Sequence, residues 1–168
     1  MEAATRKRNP LINSAAGGRA LSAAQRPLFA LHPPRGFGVL TTTGRKSGKT
    51  RRRCIRAIRR GERAYIVAIK GSRTAWLKNI EARPEVSLRI PGGTFAGAGR
   101  RLREEERDEA SGAYCETVNA FDYLECMLWR SGLPTRAKIE ALHRSWFEQG
   151  TPLVVELSAS RAPSTTRP

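Results

Sequence analysis

Short β-prone segments separated by glycine turns constrain the fold of this 168-residue chain more than any other feature. Apolar, β-branched and aromatic residues recur in short runs between residues 39 and 99. Arg59-Arg60-Gly61-Glu62 and Pro91-Gly92-Gly93 separate neighbouring runs and are typical of hairpin loops. The predicted strands are 39–43, 53–58, 64–69, 86–90 and 94–99. This succession predicts an antiparallel sheet that curls strongly or closes into a small barrel.

Helical patterns interrupt and then follow these strands. Ser72 can cap a short helix that ends at Arg83-Pro84. Residues 104–130 fit one long helix, disturbed at Gly112. A further helix over 134–149 has Gly150 just past its end, and residues 153–157 return to strand. The fold class is therefore α+β, with helices inserted late in the chain.

The chain length predicts a single domain flanked by tails. Residues 35–158 form the predicted domain, between a disordered leader at 1–34 and a disordered tail at 159–168. The leader is rich in Arg and poor in acidic residues, but it lacks the apolar segment of a targeting peptide.

Cysteine usage and hydropathy bear on the compartment. None of the cysteines shows C-x-x-C spacing, and no apolar run approaches the length of a membrane span. Reduced thiols and a cytoplasmic location are expected. The cysteines are Cys54, Cys115 and Cys126.

A basic glycine turn is the strongest functional signal. The net charge is +16, and the stretch from Gly44 to Arg60 contains nine basic residues and no acidic one. So many cations repel one another unless an anion lies among them, and the glycines let backbone N–H groups approach it closely. The turn is predicted to bind a phosphate or carboxylate at a strand edge. It is not a Walker A loop, because only three residues separate Gly44 from Gly48 and no helix pattern follows.

A nucleic-acid or polyanion-binding module is the alternative reading of the same Arg-rich hairpin. The sequence offers no aromatic pair of the RNP type, no zinc pattern and no recognition helix to accompany the basic strand. A solvated basic hairpin without a specific ligand is the third reading.

The stretch Thr41-Thr42-Thr43-Gly44-Arg45-Lys46-Ser47-Gly48-x-x-Arg51 resembles the deazaflavin (F420)-dependent nitroreductase family. That family belongs to the split-barrel flavin and deazaflavin oxidoreductases. Lys70-Gly71, Trp76-Leu77-x-Asn79 and Arg83-Pro84-Glu85-Val86 support the resemblance, which covers about 39–102 and resumes at 151–157. It implies an antiparallel, FMN-binding split-barrel-like fold with peripheral helices.

The resemblance also implies the cofactor and its binding residues. Coenzyme F420 is the expected cofactor, with flavin mononucleotide as the weaker alternative and haem left open. A hydride from the reduced deazaflavin would pass to an electron-poor acceptor such as a quinone, an enone or a nitro compound. The cofactor-binding residues carried over from the family are Arg45, Lys46, Ser47, Gly48, Arg51, Lys70, Gly71, Trp76 and Asn79.

The acceptor side matches the family less closely. Ile69 stands where nitro-reducing relatives have a small polar residue, and Arg56 where they tend to have an aromatic one. Strand alternation puts Arg56 on the apolar face, although a local bulge would turn it to solvent. With Tyr123 as a provisional substrate contact, this side is expected to favour carbonyl-bearing or anionic acceptors. Tyr123 and Trp129 have helical spacing that is also typical of core residues.

The remaining chemistry-bearing residues give weaker signals. His32 and His143 lack ligand-spaced partners in sequence and are predicted at the surface or the edge of the core, so no metal site is expected. Glu104-Glu105-Glu106 is predicted to be a solvated first helical turn. The expected partner is a small-molecule acceptor, nucleic acid is not favoured, and a homodimer is left open.

Overall fold

Six antiparallel strands form a closed barrel in the order β1-β2-β3-β6-β5-β4. The computed structural model describes residues 32–158. The predicted leader, apart from residues 32–34, and the predicted tail at 159–168 lie outside the described residues. The predicted α+β split barrel with peripheral helices is confirmed. The strands are β1 (Phe37–Thr43), β2 (Thr50–Arg60), β3 (Arg63–Ala68), β4 (Glu85–Ile90), β5 (Gly93–Arg101) and β6 (Thr151–Leu157).

The two ends of the barrel differ in their connections. Because neighbouring strands are antiparallel, β1, β3 and β5 all finish at the same end. The connections 44–49, 69–84 and 102–150 leave from this end, which we call the long-loop end. Two-residue hairpins at 61–62 and 91–92 close the other end, the hairpin end. The connections that are long enough to contribute residues to a site therefore all lie at one end of the barrel.

Strand β2 is longer than predicted, and its first half has one open edge. It begins at Thr50 rather than residue 53 and pairs with β1 from Arg56 back to Thr50. Its pairing with β3 covers only Ala57 to Arg60. The Arg-rich start of β2 is thus held by β1 alone.

Four helices surround the barrel: α1 (Ala75–Ala82), α2 (Arg107–Glu116), α3 (Ala120–Trp129) and α4 (Arg136–Gln149). Helix α1 lies in the connection from β3 to β4, and its Leu77 and Ile80 belong to the barrel core. Ser72 does not cap this helix. A 3₁₀ turn at Gly71–Arg73 comes first, and Thr74 takes the N-cap position. None of the helices in residues 32–158 has the length and hydropathy needed to span a bilayer.

Helices α2 and α4 cover the outside of the barrel wall formed by β2, β3 and β6. Alternation along β3 directs Ala64, Ile66 and Ala68 into the barrel. Tyr65 and Val67 point the other way and pack with residues of α2 and α4. The protein therefore has two apolar layers that share one sheet, the barrel interior and the helix-covered face.

The predicted helix over 104–130 is wrong, because the structure has two helices there. The break lies at 117–119, while Gly112 sits inside α2. The Thr117 hydroxyl donates to the Ala113 carbonyl at 2.7 Å, a local bond that competes with the helical ladder. Asn119 is extended and caps α3, and its N–H donates to Asp122 Oδ2 at 2.6 Å.

Helix α4 follows the prediction closely. Its stripe Ile139, Leu142, Trp146 and Phe147 is buried as expected, and Gly150 ends the helix. The helix starts at Arg136, two residues later than predicted. Thr135 is the N-cap, and its Oγ1 accepts the Lys138 N–H at 3.3 Å.

Candidate functional site

The basic turn between β1 and β2 forms a compact loop with free donors. The Gly44 N–H donates to the Lys49 carbonyl at 2.9 Å, and the Gly48 N–H donates to the Gly44 carbonyl at 2.8 Å. Gly48 has φ of +64°, which a residue without Cβ adopts at no cost. Among residues 32–158, the N–H groups of Lys46 and Ser47 have no acceptor. Successive free N–H groups before a left-handed residue form a concavity that suits an anion.

The cations around this turn are exposed and lack anionic partners. Within the described part of the chain none of them forms an ion pair, whereas Arg100 is held by both Glu106 and Glu156 at 2.7 Å. Unneutralised positive charge is therefore gathered where the free N–H groups lie. This donor set fits a phosphate or carboxylate better than any neutral group. The unpaired cations are Arg45, Lys46, Lys49 and Arg51.

Asn79 links the turn to helix α1 and to the barrel. Its side chain is 6 % exposed. Oδ1 accepts the Arg45 N–H at 3.2 Å, and Nδ2 donates to Thr42 Oγ1 at 3.1 Å. Trp76 lies one helical turn earlier and packs partly against the barrel core. Asn79, the last residue of the sequence motif Trp76-x-x-Asn79, thus contacts the turn directly.

Lys70 and Gly71 follow β3 and lie at the same long-loop end as the turn. Lys70 is exposed and has no side-chain partner within residues 32–158. The topology therefore gathers the predicted cofactor-binding residues at one end of the barrel, on the β1–β2 turn, the residues after β3, and α1.

Arg56 lies on the apolar face that alternation predicted, but it faces neither an open pocket nor solvent. It points out of the barrel, but the space there is filled by helices, and its side chain is 3 % exposed. The guanidinium forms an ion pair with Asp122 and donates to the carbonyls of Tyr114 at 3.2 Å and Thr117 at 2.5 Å. The cation is committed to joining β2, α2 and α3, so it is not available to an acceptor.

A buried polar cluster surrounds this ion pair, and the sequence did not predict it. His143 is 1 % exposed, not at the surface, and its Nε2 lies 3.7 Å from Asp122 Oδ1. Asp122, Glu125 and His143 place one possible metal-ligand atom each within 4.8 Å of one another. Arg56 already supplies a cation there. The spacing of Asp122 and Glu125 on one helix face was the only available signal, because His143 comes from a different helix.

Burial controls protonation in this cluster. It raises the pKa of Glu125 to about 7, an effect opposed by Arg56 and reinforced by Asp122. Burial, together with Arg56, lowers the pKa of His143 to about 3, so the imidazole is neutral. Burial also raises the pKa of Asp122 against the opposing effect of Arg56 and the Asn119 N–H. Glu125 therefore binds a proton up to near-neutral pH, whereas His143 stays neutral. The cluster lies beneath the helices and apart from the basic turn.

The other predicted acceptor-side residues are accessible. Ile69 follows the last residue of β3 and is 40 % exposed, and Tyr123 is 39 % exposed on α3. Trp129 is 40 % exposed and stacks edge-on against Trp146. Tyr123 and Trp129 are therefore not core residues.

Glu106 also departs from the sequence prediction. It is 9 % exposed and receives both terminal nitrogens of Arg100 at 2.7 Å. Hydrogen bonds from Arg100 and from the Arg103 N–H lower the pKa of Glu106 to about 2. It anchors the start of α2 instead of being a solvated first-turn residue.

Comparison with known proteins places the chain in a family. A model of the F420H(2)-dependent quinone reductase family matches residues 31–127. A solved F420-H2 dependent reductase (FDR-A) is 25 % identical over 73 % of this chain and 95 % of its own, with a TM-score of 0.49. A structure described as a domain-swapped dimer is 22 % identical over 84 % of this chain and 100 % of its own, with a TM-score of 0.50.

The family match covers more than half of the chain and includes the basic turn, Lys70, Trp76 and Asn79. Its cofactor, F420, is a deazaflavin with a phosphate and an oligoglutamate tail. The two free N–H groups and unpaired cations of the turn fit such an anionic group. The chain therefore belongs to the F420H(2)-dependent quinone reductase family and is an F420-dependent oxidoreductase.

Proposed function

We propose that this protein reduces a small electron-poor acceptor, a quinone, an enone or a nitro compound, with the hydride that bound reduced F420 supplies. The observation that carries the proposal is the basic turn, with two free backbone donors among unpaired cations, inside a chain of the F420H(2)-dependent family. The protein's part is to hold the cofactor tail, orient the ring and admit the acceptor.

The tail would be held by four cations that converge from two loops. Arg45, Lys46 and Arg51 lie on or beside the turn, and Lys70 follows β3 at the same barrel end. Hydrogen bonds to charged groups contribute about 1.5–3 kcal/mol each, so three or four of them can offset much of the entropy lost on association. Ser47 and Gly48 would contribute backbone contacts, with Gly71 and Trp76 beside them.

A charge-reversal pair tests this site. Lys46→Glu removes a turn cation, whereas Arg60→Glu removes an exposed cation from β2 near the hairpin end. Titration of F420 by its absorbance or fluorescence should show that Lys46→Glu weakens binding by at least about tenfold, since one charged contact is replaced by repulsion. Arg60→Glu should change the affinity by less than about twofold.

Equal losses in the two variants would indicate a diffuse electrostatic field in place of a site. A steep fall of binding with salt for any DNA or RNA sequence would instead favour the polyanion-binding alternative.

We propose a quinone as the preferred acceptor. The matching family is named for quinone reduction, and Ile69 presents an apolar side chain that cannot donate a hydrogen bond to a nitro oxygen. Arg56 takes no part, because its guanidinium is bound to Asp122. Ile69 and Tyr123 are the proposed acceptor contacts.

Steady-state rates with a quinone and a nitroimidazole test acceptor choice. Ile69→Ser should raise the ratio of nitroimidazole to quinone kcat/KM by about threefold to tenfold, the worth of one hydrogen bond. Leu133→Ser, a matched change of an exposed apolar residue between α3 and α4, should leave the ratio unchanged. If the wild type turns over the nitroimidazole faster and Ile69→Ser has no effect, the quinone assignment is wrong.

Two further properties belong to the proposal, the location of the protein and its oligomeric state. We propose a cytoplasmic location, where the thiols of Cys54, Cys115 and Cys126, which form no disulfide among the described residues, would stay reduced. A homodimer is suggested by the apolar side chains Leu124 and Met127, which are 50 % and 58 % exposed on α3. Light scattering of the purified protein would measure the oligomeric state directly.

A further inference from the structure

Asn79 connects helix α1 to the β1–β2 turn through its side-chain amide. We propose that Asn79 is a positioning residue, which fixes the β1–β2 turn to the barrel through helix α1 so that the turn presents its free N–H groups to the cofactor tail. This inference rests on the proposed F420 site and assigns Asn79 a different role from the ligand contact that its sequence motif implied.

Each end of the Asn79 side-chain amide has one hydrogen-bond partner within the protein. Oδ1 accepts the Arg45 N–H at 3.2 Å and Nδ2 donates to Thr42 Oγ1 at 3.1 Å. The side chain is 6 % exposed and Thr42 is 2 % exposed. Little surface of either residue is exposed to a ligand, so we expect their effect on binding to act through the turn.

Helix α1 provides a firm support for this contact. Leu77 and Ile80, which flank Asn79, are 0 % and 2 % exposed and pack in the barrel core. Among the described residues, the turn has two backbone–backbone hydrogen bonds of its own, Gly44 N–H to the Lys49 carbonyl and Gly48 N–H to the Gly44 carbonyl. Asn79 adds a hydrogen bond that joins the turn to helix α1, the one such bond from the turn to a helix within residues 32–158.

The contact also selects which donors face the ligand. The Arg45 N–H donates to Asn79 Oδ1, whereas the N–H groups of the next two residues, Lys46 and Ser47, have no acceptor among the described residues. Loss of the Asn79 amide would release the Arg45 N–H and let the turn rotate about Gly44. This loss should weaken binding of the F420 tail and leave binding of the deazaflavin ring unchanged, because the turn is proposed to hold the tail and not the ring.

The test compares F420 with its tail-less deazaflavin analogue, which lacks the phosphate and the glutamates. Asn79→Ala and Thr42→Val each remove a partner in the chain of hydrogen bonds, and Thr94→Val, on β5 near the hairpin end, is the control. We expect about threefold to tenfold weaker F420 binding for Asn79→Ala, a smaller loss for Thr42→Val and none for the control. Binding of the tail-less analogue and kcat at saturating F420 should not change.

A second readout needs no cofactor. Amide hydrogen exchange of the Arg45 N–H in the ligand-free protein should accelerate in Asn79→Ala, while amides of β3 keep their protection. Thr42→Val keeps the strand and the volume of Thr42, so it tests the same chain of bonds if Asn79→Ala proves unstable.

Equal weakening of both deazaflavins would overturn the proposal, because it would show a contact with the ring. Unchanged exchange at Arg45 would overturn it as well. If the wild type binds neither compound, the proposed function fails, and accelerated exchange at Arg45 in Asn79→Ala still supports the positioning role in the turn.

Discussion

The side chain of Arg56 joins strand β2 to helices α2 and α3. It is a buried cation on β2 whose guanidinium reaches a carboxylate on α3 and carbonyls at the end of α2. Its Nε has no acceptor among the described residues, so the desolvation of the guanidinium is not fully compensated. The ion pair therefore fixes the positions of α2 and α3 against β2. Its main effect on stability is that loss of either partner would leave the other charge buried without a counter-charge.

Removal of Arg56 should destabilise the protein strongly. Arg56→Met leaves Asp122 buried without its cation, which should cost about 3–5 kcal/mol in the free energy of unfolding. Arg52→Met, an exposed position on the same face of β2, should change it by less than about 0.5 kcal/mol. Urea unfolding followed by circular dichroism measures both. Equal stabilities of the two variants would mean that Asp122 finds another partner or takes up a proton at no cost.

The buried cluster should also shape stability as a function of pH. Glu125 has its pKa raised from 4.5 to about 7, so the folded state holds an extra proton and stability is lost as pH rises through this range. His143 has its pKa lowered from 6.5 to about 3, so stability is lost as pH falls through that range. Where the windows overlap, between 4.5 and 6.5, the two slopes oppose each other. The groups that face Glu125 and His143 are Arg56, Asp122 and Tyr114.

Glu125→Gln separates these two effects. The variant should gain stability relative to the wild type as pH rises from 4.5 to 8, by about 1–2 kcal/mol, because it has no carboxyl to ionise. Below pH 6.5 it should show the declining slope of His143 without compensation. Urea unfolding at a series of pH values measures the difference. A difference that stays constant with pH would show that Glu125 ionises normally in the fold.

At the scale of elements, the strands were predictable and the junctions between helices were not. Alternation and glycine turns located the strands because a sheet with one apolar face leaves a period of two in the sequence. The break at 117–119 depends on the Thr117 hydroxyl reaching the Ala113 carbonyl. That local bond does not alter the helical period, so periodicity could not reveal it.

The candidate site divides in the same way. The basic turn was predictable because glycines and cations are contiguous in sequence. The buried cluster was not, since Arg56, Asp122 and His143 come from β2, α3 and α4 and meet only through tertiary packing. Alternation gave the correct face for Arg56 but could not tell an open pocket from a helix-covered wall.

The first turn of α4 offers a test at this scale. Thr135→Ala removes the oxygen that accepts the Lys138 N–H and should lower the free energy of unfolding by about 1 kcal/mol. Thr135→Ser keeps the hydroxyl and should stay within a few tenths of a kcal/mol of the wild type. Thermal unfolding ranks the three proteins, and equal midpoints would mean that Pro134 alone is enough to start the helix.

The whole molecule is electrostatically uneven. Arg100 on β5 is paired with the carboxylates of Glu106 and Glu156, whereas the cations around the turn have no counterions within residues 32–158. The ligand-free protein therefore bears an internal repulsion at its long-loop end.

Relief of that repulsion should stabilise the ligand-free protein. Lys46→Glu, which should weaken F420 binding, is expected to raise Tm by about 1–3 °C without ligand. Added phosphate should raise the Tm of the wild type more than chloride at equal ionic strength, by mass action on the folded state. Scanning calorimetry measures both. A Tm lowered by Lys46→Glu would show that the lysine has a structural partner.

The long connection at 102–150 and the short turn at 44–49 should tolerate sequence change to different extents. The pairing of β5 with β6, from Gly97↔Leu157 to Arg101↔Leu153, closes the barrel whatever lies in the 102–150 connection. That connection can lengthen or be replaced provided it still covers Tyr65 and Val67. The six-residue turn at 44–49 has no such freedom, because Asn79 and the strands on either side determine its shape. We therefore expect homologues to vary more in the 102–150 connection, which carries Tyr123, than in the turn at 44–49.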